Sequence, residues 1–123
     1  MRIIAGAAKG KTLASPEDER IRPTSDRARE GLFSSLESEY GSFADINFLD
    51  LFSGTGAVGV EALSRGAAIV HSVEEEFFEL AVGNFELVNS AIGKYRVFHS
   101  RALPFLESEN ALRYDIIFMD PPY

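Results

Sequence analysis

The stretch INFLDLFSGTGAVGVEALSRG, residues 46–66, decides the fold. Its first seven residues, Ile46 to Phe52, are apolar apart from Asn47 and Asp50, and read as a buried strand. Three glycines follow. Gly54, Gly56 and Gly59 satisfy G-x-G-x-x-G just where the strand must turn into a helix, AVGVEALSR, which Gly66 can close. Such glycines allow a sharp turn and bring backbone N–H groups close to a ligand. A glycine turn that serves only tight packing is the alternative. Glu74 stands 20 residues after Gly54, at the end of the next strand, AIVHSV, where a carboxylate can accept both hydroxyls of a ribose. Asp50 refines the ligand class. A carboxylate at the mouth of the first strand repels a pyrophosphate but pairs with an amino group. This favours S-adenosylmethionine (SAM), which carries an α-amino group and a sulfonium, over a dinucleotide.

Outward from this run the pattern alternates. A helix is expected over about Glu76 to Ile92, with Phe78, Ala81, Phe85, Val88 and Ile92 on one side. YRVFH is a strand, ALPFLESENAL contains a short helix, and DIIFM is the fourth strand of the series. Strand and helix in strict alternation with short links imply right-handed crossovers and a parallel sheet covered on both faces. Toward the N-terminus, Arg2 to Ala5 and Lys11 to Ala14 flank a Gly/Ala/Lys loop and suggest a hairpin. Pro16 to Pro23 reads as a connector. A further helix should begin at Thr24 or Ser25, carry Ala28, Leu32, Phe33 and Leu36 on its apolar face, and stop before Gly41. The expected organisation is therefore one domain. Residues 1–23 form the hairpin and connector, 24–40 the first helix, and 46–123 a Rossmann-like three-layer α/β/α core with a mainly parallel sheet.

Composition narrows the function classes. The chain has 123 residues, 46% hydrophobic and 25% charged, as for a soluble globular domain. It has no cysteine, which excludes disulfides, thiolate metal sites and thiol catalysis. No leader or membrane-length apolar run is visible, so a cytoplasmic location is expected. The net charge of −7 argues against nucleic acid, but its distribution does not. Residues 1–30 carry seven Lys/Arg against five acids, whereas residues 31–123 carry five against fourteen, so basic charge gathers at one end.

The second chemical motif closes the chain: YDIIFMDPPY, residues 114–123. The exocyclic amine of a nucleobase is a poor nucleophile because its lone pair is delocalised into the ring. Asp120 can accept one N–H of such an amine and the Pro121 carbonyl the other, orienting the nitrogen toward a methyl donor. Pro121 and Pro122 restrict the backbone, so the acceptors are preset. Tyr123 offers a flat face to an extruded base. A rigid turn ending a strand, with Tyr123 as a core lid, is the structural alternative.

At these residues the sequence resembles the RsmD-type methyltransferases, which modify the N2 amine of a guanine in small-subunit (16S) ribosomal RNA. RIIAGAAKGKTL is similar to the family's opening hairpin, IRPTSDRAREGLFSSL to its first helix, FLDLFSGTGAVGVEALSRGA to its SAM loop, VEEE to its ribose acid and IIFMDPPY to its catalytic turn. The resemblance implies a SAM-dependent methyltransferase fold and methylation of assembled or partly assembled small subunits. It places Asp50, Phe52, Gly54 and Gly56 at SAM, and Glu74 on its ribose. Asp120, Pro121, Pro122 and Tyr123 fall at the target, Arg22, Thr24 and Arg27 at the active-site mouth, and Arg2, Lys9 and Lys11 near RNA phosphate. HSRAL carries Arg101 where a small acid or amide is expected to meet the adenine, leaving the Ala102 backbone N–H for that contact. Family members also continue beyond DPPY, so the chain reads as a fragment with an incomplete sheet.

Other readings stay open. The glycine loop would also serve an NAD-dependent oxidoreductase. A chain that binds nucleotide or RNA without catalysis, or one that depends on a partner subunit, is the third reading. His71 and His99 have no neighbouring ligand cluster and are read as structural, so no metal is expected. The alternative reading of Arg27 and Arg29 is that they only solvate the first helix, and Phe77, Phe78 and Phe85 are read as core.

Overall fold

The computed structural model describes residues 1–17, 23–88, 93–108 and 112–121. Eight elements alternate after the N-terminal segment: α1 (Asp26–Tyr40), β1 (Asn47–Asp50), α2 (Ala57–Ser64), β2 (Ile69–Glu74), α3 (Phe78–Glu86), β3 (Lys94–His99), α4 (Ala102–Glu107) and β4 (Ile116–Phe118). The four strands form one parallel sheet in the order β3-β2-β1-β4. The chain steps outward from β1 to β3, then crosses back to lay β4 on the other side of β1. The carboxyl ends of β1 and β4 are therefore adjacent at the topological switch, the place where open α/β sheets bind ligands.

Strand alternation divides the core in two. Phe48 of β1, Val70 of β2 and Ile116 of β4 face a large cluster shared with Phe33 of α1, Val60 and Leu63 of α2, and Phe85 of α3. Leu49, Leu51 and Val73 face the opposite side, against Phe105 of α4. Cover on that second face is partial among the described residues. Ile117, next along β4, is 52% exposed, and Met119 is exposed as well.

The hairpin is present as a tight loop rather than as two strands. Arg2 and Thr12 make a single antiparallel bridge, supported by Ile3 N–H to the Lys11 carbonyl at 2.9 Å and Leu13 N–H to the Met1 carbonyl at 2.8 Å. The ladder stops there because the next donors turn elsewhere. Ile4 N–H donates to Glu61 Oε1 at 2.9 Å and Ala5 N–H to Glu61 Oε2 at 3.1 Å, both on α2. Ser64, also on α2, accepts from Ala8 N–H at 3.0 Å and donates to the Ala5 carbonyl at 2.7 Å. Ile3, Ala8 and Leu13 are buried in the same cluster as the sheet.

Ser25 caps α1, its hydroxyl accepting from Ala28 N–H at 3.1 Å, and Gly41 ends it. The buried face differs from the expected one: Ala28 is exposed and Arg29 is fully buried with Phe33. Helix α3 begins at Phe78, two residues later than expected, and Glu74 Oε2 accepts the N–H groups of Glu76 and Phe77 just before it, each at 2.9 Å. It ends at Glu86, with Leu87 as its C-cap, short of the expected end at Ile92, a residue that itself lies outside the described ones.

Candidate active site

The loop between β1 and α2 sets the geometry. Gly54 and Gly56 both have positive φ, 56° and 83°, and Gly56 is the N-cap of α2. Gly59 does different work. A Cβ there would stand 2.7 Å from Ser72 Oγ and 2.8 Å from Phe85 Cζ, so its absence lets α2 lie directly on β2 and α3. Gly54 N–H is held by Glu74 Oε1 at 2.7 Å. The glycine loop and the acid of β2 are thus one hydrogen-bonded unit. Glu74 already accepts three backbone N–H bonds, and a carboxylate offers about four lone-pair sites. One position is left for an outside donor.

Asp50, the last residue of β1, is 1% exposed, and neither carboxylate oxygen has a hydrogen-bond partner. Burial pushes its pKa up to about 7, the Phe52 N–H opposes the rise without reaching hydrogen-bond geometry, and the carboxylates of Glu74 and Asp120 add to it. A buried carboxyl without a partner is costly unless a donor arrives or it keeps its proton. Asp50 lies in a pocket of about 40 Å³ with Pro23, Thr24, Phe52, Ser53, Gly54, Thr55 and Phe118 among its walls. The Ser53 hydroxyl is also buried and unpartnered. An orphan carboxylate beside an orphan hydroxyl matches the ammonium and carboxylate of an amino acid.

Phe52 and Gly54 also border a much larger cleft, about 1090 Å³. Its walls bring together Glu74, Arg101, Ala102, Asp120 and Pro121, contributed by the ends of β2, β3 and β4. Asp120 is exposed to this cleft and Pro121 is half-buried. Of the residues selected from sequence, Phe52, Gly54, Glu74, Ala102, Asp120 and Pro121 therefore share one cavity, with Asp50 and Thr24 in the adjoining pocket. Gly56 borders neither and acts through the turn. Arg22, Pro122 and Tyr123 lie outside the described residues. Arg2, Lys9 and Arg27 are exposed. Lys11 is exposed too, but its ammonium donates to the Leu87 carbonyl at 2.8 Å.

Phe77, read as core, instead borders the cleft, on the segment that follows Glu74. Its signal in the sequence was its position, three residues past the acid, rather than its helical spacing. Phe78 stacks on His99 at 4.7 Å and Phe85 on Tyr95 at 4.9 Å. His71 Nδ1 meets the Tyr114 hydroxyl at 2.7 Å, and burial, with Arg96 nearby, lowers its pKa. His99 Nε2 pairs with the Glu75 carbonyl at 2.8 Å. No metal-binding group of acids and histidines occurs among the described residues, and none of their helices is long and apolar enough to cross a membrane.

A parallel sheet with a glycine-rich turn after β1, an acid closing β2 and an orphan carboxylate between them defines a Rossmann-like protein of the methyltransferase fold. The chain belongs to the family described as Conserved hypothetical protein 95, whose profile matches residues 1–123. This is the RsmD-type family that its motifs resemble. It is 39% identical over 126 residues to ribosomal RNA small subunit methyltransferase D of Escherichia coli, covering 100% of this chain and 60% of that protein. It is 32% identical to a putative rRNA methyltransferase of Bacillus subtilis, covering 100% of this chain and 67% of the other. Among solved structures, a putative methyltransferase from Escherichia coli superposes with a TM-score of 0.83 at 34% identity, over 100% of this chain and 64% of the other. A hypothetical protein of Thermus thermophilus superposes at 0.85 with 35% identity, over 100% and 70%. The chain thus spans about 60% of the length of the Escherichia coli relative.

Proposed function

We propose that this protein is a SAM-dependent methyltransferase acting on the exocyclic N2 amine of a guanine in small-subunit ribosomal RNA, on assembled or partly assembled subunits. The observation that carries this reading is the placement of Asp120 and Pro121 in the same cleft as Gly54 and Glu74. An amine held at the DPPY turn then faces the glycine loop that would hold the methyl donor. The similarity to relatives named as small-subunit rRNA methyltransferases supports the substrate class.

SAM, when bound, supplies an electrophilic methyl group on a sulfonium. The chain's own residues do the rest. Asp50 receives the ammonium of the amino-acid end, and the Ser53 hydroxyl lies beside it. The remaining lone-pair position of Glu74 accepts from the ribose, and the Ala102 backbone N–H is offered to the adenine. Asp120 accepts one N–H of the target amine and the Pro121 carbonyl the other, which aims the nitrogen lone pair and favours a pyramidal nitrogen. The proton leaves after methylation, when the nitrogen is cationic and acidic. Pro122 stiffens the turn and Tyr123 stacks on the base. Arg2, Lys9 and Lys11 guide the RNA by phosphate contacts that carry no sequence information, and Arg22, Thr24 and Arg27 meet it at the active-site mouth.

The test is methyl transfer from labelled SAM to isolated small subunits by the protein made from its native gene. Asp120→Ala is expected to abolish transfer while S-adenosylhomocysteine still binds. Normal turnover in that variant sinks the role assigned to Asp120.

A further inference from the structure

Arg29 is a fully buried arginine that the reaction as proposed does not use. Its guanidinium is completely enclosed by polar partners. Nη1 donates to the Arg2 carbonyl at 2.8 Å and to Glu61 Oε1 at 3.3 Å, Nε to the Thr24 carbonyl at 3.4 Å, and Nη2 to Asp26. Glu61 is equally buried, and its second oxygen accepts from Arg65 Nε at 2.8 Å.

The placement of this pair is specific. Arg29 N–H bonds the Ser25 carbonyl, so Arg29 lies one helical turn behind the start of α1. Glu61 lies one turn behind Ala57, the start of α2. Both helix starts contribute walls of the Asp50 pocket: Pro23 and Thr24 just before α1, Ala57 and Val58 in the first turn of α2. The ion pair therefore clamps the two walls together from one turn behind.

We propose that Arg29 is a positioning residue that sets the width of the Asp50 pocket and so selects for the amino-acid end of the methyl donor. The proposal rests on the SAM reading above. Lysine at this site would keep the charge but lose the planar fork that reaches Arg2, Thr24, Asp26 and Glu61 at once. A loosened wall would act on the amino-acid end of a ligand and leave its adenosine end, which lies in the Glu74 cleft, unaffected.

Two ligands separate these ends: S-adenosylhomocysteine, and 5′-methylthioadenosine, which has the same adenosine and thioether sulfur without the amino acid. Calorimetric titration of the native protein and of Arg29→Lys with both is the experiment. Arg29→Lys is expected to weaken S-adenosylhomocysteine by about tenfold, with methylthioadenosine unchanged. Equal loss of both ligands, or loss of neither, overturns the proposal, since a purely architectural arginine gives no such difference. Native protein that binds neither ligand overturns the SAM reading and the proposal with it. If Arg29→Lys does not fold, Asp26→Asn removes only the negative charge of the half-exposed partner, whose side chain is 44% exposed and whose Oδ1 also accepts the Arg2 N–H at 3.2 Å. It is expected to show the same selective loss in smaller degree, and an unselective result counts against the clamp.

Discussion

Glu74 Oε1 accepts the Gly54 N–H at 2.7 Å, joining the end of β2 to the loop after β1. The same carboxylate holds the N–H groups of Glu76 and Phe77, so one side chain shapes both the glycine loop and the entry to α3. Glu74→Ala leaves three donors to solvent at once. It should lower stability by about 2–4 kcal/mol, less than the sum for three bonds because water reaches this half-exposed site. S-adenosylhomocysteine affinity should fall by more than the stability loss explains, because the ribose acceptor goes too. Chemical unfolding and calorimetric titration of the same variant measure both effects.

Asp50 gives a pH dependence with a definite sign. Its folded pKa, about 7, lies above the ordinary 3.8, so the folded state holds a proton that the unfolded state has released. Between those values stability falls as pH rises, and above about 7 the loss is complete. The span corresponds to roughly 4 kcal/mol at most, about 1.4 per unit. Asp50→Asn should remove this slope, so the variant gains on the native protein as pH rises from 5 to 8 in urea unfolding. Ligand binding runs the other way. An ammonium needs the ionised carboxylate, so S-adenosylhomocysteine should bind more weakly at pH 5.5 than at pH 8, with the difference absent in Asp50→Asn.

The parallel sheet, its crossovers and the two motifs were legible because they are local: glycines at fixed spacing, apolar runs, an acid at or just past the ends of β1, β2 and β4. The clamp was not. Arg29 reads as a solvated helix residue, since its neighbours in sequence are Ala28 and Glu30, and only the approach of α2 encloses it. Glu61 likewise interrupts an apolar helix with no visible reason until the N–H groups of Ile4 and Ala5 arrive from 57 and 56 residues away. Phe77 was misplaced because helical spacing does not distinguish a core face from a helix entry that borders a cleft.

Three glycines inside helices, Gly31, Gly59 and Gly83, should divide into two classes under alanine substitution. At Gly59 the added Cβ meets Ser72 Oγ at 2.7 Å, Phe85 Cζ at 2.8 Å and Val70 Cγ1 at 3.1 Å, all side chains that are themselves buried. None of them can give way without moving α2 off the sheet, so Gly59→Ala should cost about 1–3 kcal/mol or more through overpacking. It should also shift the glycine loop, which α2 carries at its start, and weaken S-adenosylhomocysteine. At Gly31 in α1 and Gly83 in α3 a Cβ meets nothing within 4 Å. Both lie inside helices, where glycine's extra freedom in the unfolded chain is a cost, so each alanine should stabilise by about 0.5–1 kcal/mol. The two sites are on separate helices with no shared partner, and the double variant should gain the sum of the two effects. Urea unfolding of Gly59→Ala, Gly31→Ala, Gly83→Ala and the double variant checks the division. A neutral Gly59→Ala would mean that α2 does not sit on β2 as closely as the structure places it.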